Sequence, residues 1–207
     1  TLHEYLGDKY VVLNFIYTQC DDVNGCPLAT YVSSQVQNRL IENSDLQNKV
    51  RFISLSFDPK NDTPEVMRQY GANFIKENFD WQFLTTISED MLNPILEKYS
   101  QSILKEVDEN GNTSSSISHI LRVFLIDAQK QVRNIYSTSF LHPDTVVNDI
   151  KTLELDSRNN ISNTKVLSSS KIELHGAGDD KEGYEYSSYQ TQTSSLQSRI
   201  GRTADLY

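Results

Sequence analysis

Cysteine, methionine and tryptophan are scarce in this 207-residue chain, with 2 Cys, 2 Met and 1 Trp. Two cysteines do not build a disulfide scaffold, which takes four or more. Met67 and Met91 stand far apart, so no Met-rich copper-binding run exists. Positive charge is short as well: 19 Lys and Arg face 28 Asp and Glu, a net charge of −9. That balance argues against nucleic acid or anionic lipid as the main partner and would suit a basic protein face. No stretch approaches the roughly 18 uncharged apolar residues of a membrane span. The chain opens at Thr1 with neither Met nor a basic start, so no signal peptide is read. Its first apolar run follows so soon that we expect a piece of a longer chain, with further sequence upstream of Thr1. No phosphate loop, zinc-finger spacing, Ser-His-Asp arrangement or C-x-x-C-H haem motif occurs.

The remaining pattern is one of alternating strands and helices. Tyr10 to Tyr17 (YVVLNFIY) is a continuous apolar run of strand length, rich in β-branched and aromatic residues. Thr18 to Pro27 is a polar loop that carries both cysteines. From Pro27 to about Asn43 the apolar residues Leu28, Val32, Val36, Leu40 and Ile41 recur at helical spacing, and Pro27 suits a first helical turn. Val50 to Phe57 reads as a second strand. Asp62 or Thr63 can cap a helix from Pro64 to about Asn78, with Glu65 in its first turn. A short strand or loop at Phe83-Leu84 and a helix from Glu89 to Tyr99 follow. Asp108 to Ser118 (DENGNTSSSIS) is a loop or hairpin. Ile120 to Asp127 and Val132 to Ser137 form an antiparallel pair around a turn at Ala128 to Lys130. A last helix starts at Pro143 and reaches about Leu153. This order predicts an α/β domain with a central mixed sheet flanked by helices, a three-layer thioredoxin-like layout.

Composition shifts near residue 155. Residues 156–207 hold ten Ser, no Phe and no Trp. Such a segment buries too little apolar surface to offset its ordering entropy. We therefore expect a domain over 1–155 and a polar linker or extended arm over 156–207, with a short helix within Ser187 to Leu206.

The chemistry concentrates in the cysteine loop. Cys20 and Cys26 are separated by five residues, which allows a redox pair, a metal site, one structural disulfide or coincidence. Cys26 lies beside the start of a helix, where the dipole and free N–H groups should lower a thiol pKa. His119 stands at the mouth of a strand, across the sheet end from the cysteines in such a layout. Two thiolates and an imidazole suit copper, and zinc would take a fourth ligand. Taken alone, His119 is an ordinary strand-end histidine. His142 reads as a turn residue, and His3 and His175 lie near the start and in the tail. Asp58 and Asp62 read as turn and capping residues, and Trp81 as core.

The combination NFIYTQC…CP, then ISLSFDPKNDTPEVMRQYG, then SHILRVFLID followed by a helix closely resembles the SCO/SenC family over about residues 1–153. The resemblance implies a thioredoxin fold and one copper ion, Cu(I) or Cu(II), held by Cys20, Cys26 and His119. It implies copper delivery to, or thiol reduction of, the CuA site of cytochrome c oxidase subunit II. It also implies a place outside the cytoplasm, the bacterial periplasm before the mitochondrial intermembrane space, with a membrane anchor and the first hairpin of the fold upstream of Thr1. One departure stands out: the family spaces its cysteines by three residues, against five here. Closing two more residues costs only a few tenths of a kcal/mol. The stretch IELHGAGDDKEGYEYSSYQTQ…SRIGRTADL resembles the connector of SCO-like domains fused to a di-haem cytochrome c peroxidase-like domain, which would make this chain the N-terminal piece of a longer redox protein with a haem-containing partner domain.

Three functions compete at this level. One is a metallochaperone that works by ligand exchange at Cys20, Cys26 and His119. The second is a thiol–disulfide oxidoreductase, with Cys26 attacking and Cys20 resolving. Peroxidase spacing is absent, because Thr18 stands two residues before Cys20 rather than three. The third is a docking domain stapled by a Cys20–Cys26 disulfide.

Overall fold

The computed structural model describes residues 2–107 and 113–169. A short helix, α1 (Leu2–Leu6), leads into strand β1 (Tyr10–Ile16), and α2 (Cys26–Ile41) follows the cysteine loop. The chain continues through α3 (Ser44–Gln47), β2 (Val50–Ser56), α4 (Pro64–Ala72), β3 (Trp81–Leu84) and α5 (Glu89–Lys98). A hairpin of β4 (Ile103–Val107) and β5 (Thr113–His119) precedes β6 (Arg122–Ile126), β7 (Val132–Ser137) and α6 (Pro143–Ser169). The main sheet has five strands in the order β3-β2-β1-β6-β7. β1 runs parallel to β2, and β2 to β3, whereas β6 is antiparallel to both β1 and β7. The expected mixed sheet is therefore present.

β1 is buried along its whole length, which is why its sequence is continuously apolar rather than alternating. Tyr10 and Val12 join Val32, Val36 and Leu40 of α2 and Val146, Val147 and Ile150 of α6. Val11, Leu13 and Phe15 join Leu6 of α1 and Leu92 and Leu96 of α5. Each large apolar side chain so buried contributes roughly 1.5–3 kcal/mol. Trp81 is core, as expected, and its indole N–H donates to Ser54 Oγ at 3.0 Å.

Besides the short helices α1 and α3, which the sequence pattern does not predict, three features differ from the sequence-based expectation. α4 stops at Ala72 rather than near Asn78. Asn73 donates from its side chain to the carbonyls of Gln69 and Tyr70. The buried Gln37 then takes the Lys76 N–H and donates to the Phe74 carbonyl, so a side chain of α2 replaces the next helical turn. Gly71 sits on Phe83, where an added Cβ would lie 2.5 Å from the ring. The second difference is β4, which the sequence reading left without an element. The loop or hairpin expected at Asp108 to Ser118 is a hairpin, with part of its tip outside the described residues. Third, α6 runs on to Ser169. Beyond Leu153, Glu154 pairs with Lys49 and Arg158 and accepts from Tyr10, which holds this stretch to the domain. Residues 170–207 lie outside the described residues, and with them His175, the expected short helix and the connector-like stretch. Among the described residues, no helix is long and apolar enough to cross a membrane.

At the opposite end of the sheet from the cysteines, Asp80 receives Lys9 and Arg51 at 2.8 Å each. Burial pushes its carboxyl pKa up, but the hydrogen bonds from Lys9, Arg51 and Gln82 prevail and hold it below 3.8. A depressed folded-state pKa gives stability that is present at neutral pH and lost as pH falls through that value. Asp80→Asn should cost about 1 kcal/mol at pH 7. The gap to wild type should close below pH 4, as read from urea denaturation across pH.

Candidate metal centre

The cysteine loop begins where β1 leaves the core. Phe57 N–H donates to the Ile16 carbonyl at 3.0 Å, so the ends of β1 and β2 are joined here. Thr18 is anchored next. Its backbone N–H donates to both carboxylate oxygens of Asp62, at 3.4 and 3.1 Å, and its hydroxyl donates to Asp62 as well. Ser56 Oγ donates to the same carboxylate, which is only 1% exposed. Asp62 is therefore not the cap of α4. Thr63 takes that place, accepting from Val66 N. The sequence reading named Asp62 as a turn or capping residue and missed that it moors the loop.

The loop then turns on Asp22. Its carbonyl accepts from Gly25 N at 2.8 Å, and its carboxylate accepts from Asn24 N at 3.0 Å. A Cβ at Gly25 would lie 3.2 Å from Asp22 Oδ2, so the close turn favours glycine. Gly25 caps α2 and Cys26 is its first residue, with Pro27 next. The two extra residues of the loop are thus absorbed in a compact turn.

His119 arrives from the other sheet. It ends β5 rather than opening β6, paired with Ile103 of β4. This corrects the expected placement at the mouth of the following strand. Its Nε2 lies 3.4 Å from Cys26 Sγ. The donor atoms of Cys20, Cys26 and His119 all fall within 4.8 Å of one another. Among the described residues no other group of three such side chains gathers in this way. His3 lies on α1, and His142 accepts from Asp144 N at 3.3 Å as a turn residue does. Met67 is buried core and Met91 is exposed on α5. Asp58 accepts from Asn61 within its own turn, as expected.

Burial divides the donor set. Cys26 is 1% exposed, whereas Cys20 is half-buried, and both thiols are free. Burial pushes the Cys26 thiol pKa up, and the nearby Cys20 adds to the rise. This overturns the expected lowering: desolvation outweighs the helix N-terminus. Burial likewise lowers the His119 pKa from 6.5, against the opposing pull of the Ile120 backbone and the charge of Asp22. The imidazole is therefore neutral at pH 7, with a lone pair to offer, and a metal entering here must displace thiol protons. The set fits a soft ion: two sulfurs and one nitrogen already converge within 4.8 Å of one another.

A mixed sheet with a dithiol loop between β1 and the start of α2 defines a thioredoxin-like domain. The SCO1/SenC family model matches residues 2–154, and the chain belongs to that family. It is 28% identical over 150 residues to the SCO1 protein homolog of Bacillus subtilis (strain 168), covering 72% of each chain. A SCO1/SenC family lipoprotein from Bacillus anthracis matches at TM-score 0.61 and 26% identity, over 73% of this chain and 84% of that one. Arabidopsis thaliana ScoI, solved with copper bound, matches at TM-score 0.61 and 20% identity, over 73% and 88% of the two chains.

Asp62→Ala leaves the Thr18 and Ser56 donors without their acceptor. We expect a loss of about 2–4 kcal/mol in chemical denaturation. A loss under about 0.5 kcal/mol would show that the loop does not depend on this carboxylate.

Proposed function

We propose that the protein binds one copper ion through Cys20, Cys26 and His119 and passes it to an accepting partner. The convergence of these three donors within 4.8 Å carries the reading. Soft thiolate and imidazole donors favour Cu(I), whereas zinc would seek a fourth ligand. Copper is here the cargo. Cys26 is the buried donor and holds the ion from inside, with His119 3.4 Å away on β5. Cys20, on the loop and half-buried, is the donor that an incoming partner thiolate or imidazole displaces first.

The family resemblance supports cytochrome c oxidase subunit II, with its CuA site, as the acceptor, or another haem-containing redox partner. The net charge of −9 suits a basic docking face. The lipoprotein relative supports a place outside the cytoplasm, in the periplasm, with an anchor preceding the domain.

A second reading is favoured by the free thiols themselves. Two reduced cysteines at a strand end and a helix start can exchange with a partner disulfide. The near-complete burial of Cys26 then moves the attacking role to Cys20, with Cys26 resolving.

Anaerobic Cu(I) titration of the reduced chain separates the two. Wild type should take one tight equivalent, weakened at least tenfold by His119→Ala, a change of about 1.4 kcal/mol or more. Absent binding, or binding indifferent to His119, would leave dithiol exchange as the function. That exchange should survive the same substitution.

A further inference from the structure

A histidine that holds a metal ordinarily donates its second ring N–H to a carboxylate, a carbonyl or a water, and that bond fixes the ring. His119 makes no well-formed bond of this kind among the described residues: Nδ1 is buried without a partner at good geometry, and only the adjacent Ile120 backbone acts on the ring. Its orientation must come from elsewhere. Two rings enclose it. Phe57 lies at 4.6 Å between centroids with a 58° tilt, and Tyr17 meets it edge-on at 6.2 Å and 82°. Tyr17 and Phe57 are themselves 5.6 Å apart.

Tyr17 adds a contact that Phe57 cannot make. Its hydroxyl accepts the backbone N–H of Ile117 at 3.3 Å, two residues before His119 on the same strand. The placement matters because, among the described residues, β5 pairs only with β4 and shares no ladder with β1. The hairpin has other fastenings, one to α5 and one that ties its own two ends together. Lys105 pairs with Glu89 of α5, and Gln101 donates to the Ile120 carbonyl at 2.7 Å. The Tyr17 hydroxyl joins the strand that carries the histidine to the segment that carries the cysteines.

We propose that Tyr17 is a positioning residue for copper: by holding Ile117 it sets the reach of His119 toward Cys26. The role rests on the copper reading above. Tyr17→Phe is the suitable variant, because it keeps the ring and its packing and removes one oxygen.

The test is a four-way Cu(I) competition on the whole chain: wild type, Tyr17→Phe, His119→Ala and the double variant. Losing one hydrogen bond that orders a ligand should weaken Cu(I) binding about three- to tenfold. The Tyr17 hydroxyl also faces the Cys20 thiol, so part of the loss acts through Cys20; the part that acts through Ile117 should vanish once His119 is absent, leaving a clearly smaller loss. No loss in the wild-type background, or an equal loss in both, would overturn the proposal. A wild type that takes no His119-dependent copper would instead refute the copper reading. The positioning role is then decided in the metal-free protein by NMR. Tyr17→Phe should speed Ile117 amide exchange about tenfold and move the His119 ring resonances. Unmoved ring resonances would overturn it.

Discussion

Everything at the candidate centre depends on the complete burial of β1. A strand covered on both faces has no freedom to slide, because a one-residue slip would exchange the residues packed under α2 for those packed under α1 and α5. The point at which the chain leaves the sheet is therefore fixed, and so is the start of the cysteine loop. β1 is also the strand at which the sheet changes from parallel to antiparallel pairing. Such a switch leaves room beyond the strand end, since the two flanking connections depart in different directions. The cysteines occupy that room.

Within it, desolvation decides the character of each donor. Cys26 begins a helix, and the exposed N–H groups there favour a thiolate. The same position is packed against Tyr17, Phe57 and Met67 in the core, and the cost of burying a charge is larger. The result is an asymmetric pair, one sulfur fully inside and one half-buried on the loop. Asp62 supports this arrangement from below. A buried carboxylate facing three donors from Thr18 and Ser56 is well satisfied, and its removal would orphan them together.

The elements that were legible in the sequence are those defined by burial of a face. β1, α2, β2, β6 and β7 fall within a residue or two of where their hydrophobic periodicity puts them, because each packs an apolar stripe or strand. The resemblance then named Cys20, Cys26 and His119 as a set, and the fold brings these three together. What could not be read is set by side chains that reach the backbone of distant elements. The end of α4 depends on Gln37, thirty-nine residues before Lys76. The mooring of the loop depends on Asp62, forty-four residues after Thr18. The β5 sequence TSSSISH has almost no apolar content, and its one buried hydrophobic among the described side chains is Ile117. No periodicity could announce such a strand. The direction of the Cys26 pKa shift is hidden for a related reason: sequence shows a helix start but not the depth at which it is buried.

The separation of Cys26 from His119 along the chain has a thermodynamic consequence. Their contact spans 93 residues, so the histidine joins the thiols only when β1 and the β4–β5 hairpin are both in place. An unfolded or half-made chain offers an ion two nearby sulfurs and no imidazole. An ion that prefers all three donors binds the native state more tightly than the unfolded one, and the difference appears as added stability of the native state. Occupancy therefore reports on the completeness of the tertiary structure. A molecule that carries its ion in this way has, by the same act, passed an inspection of its own folding.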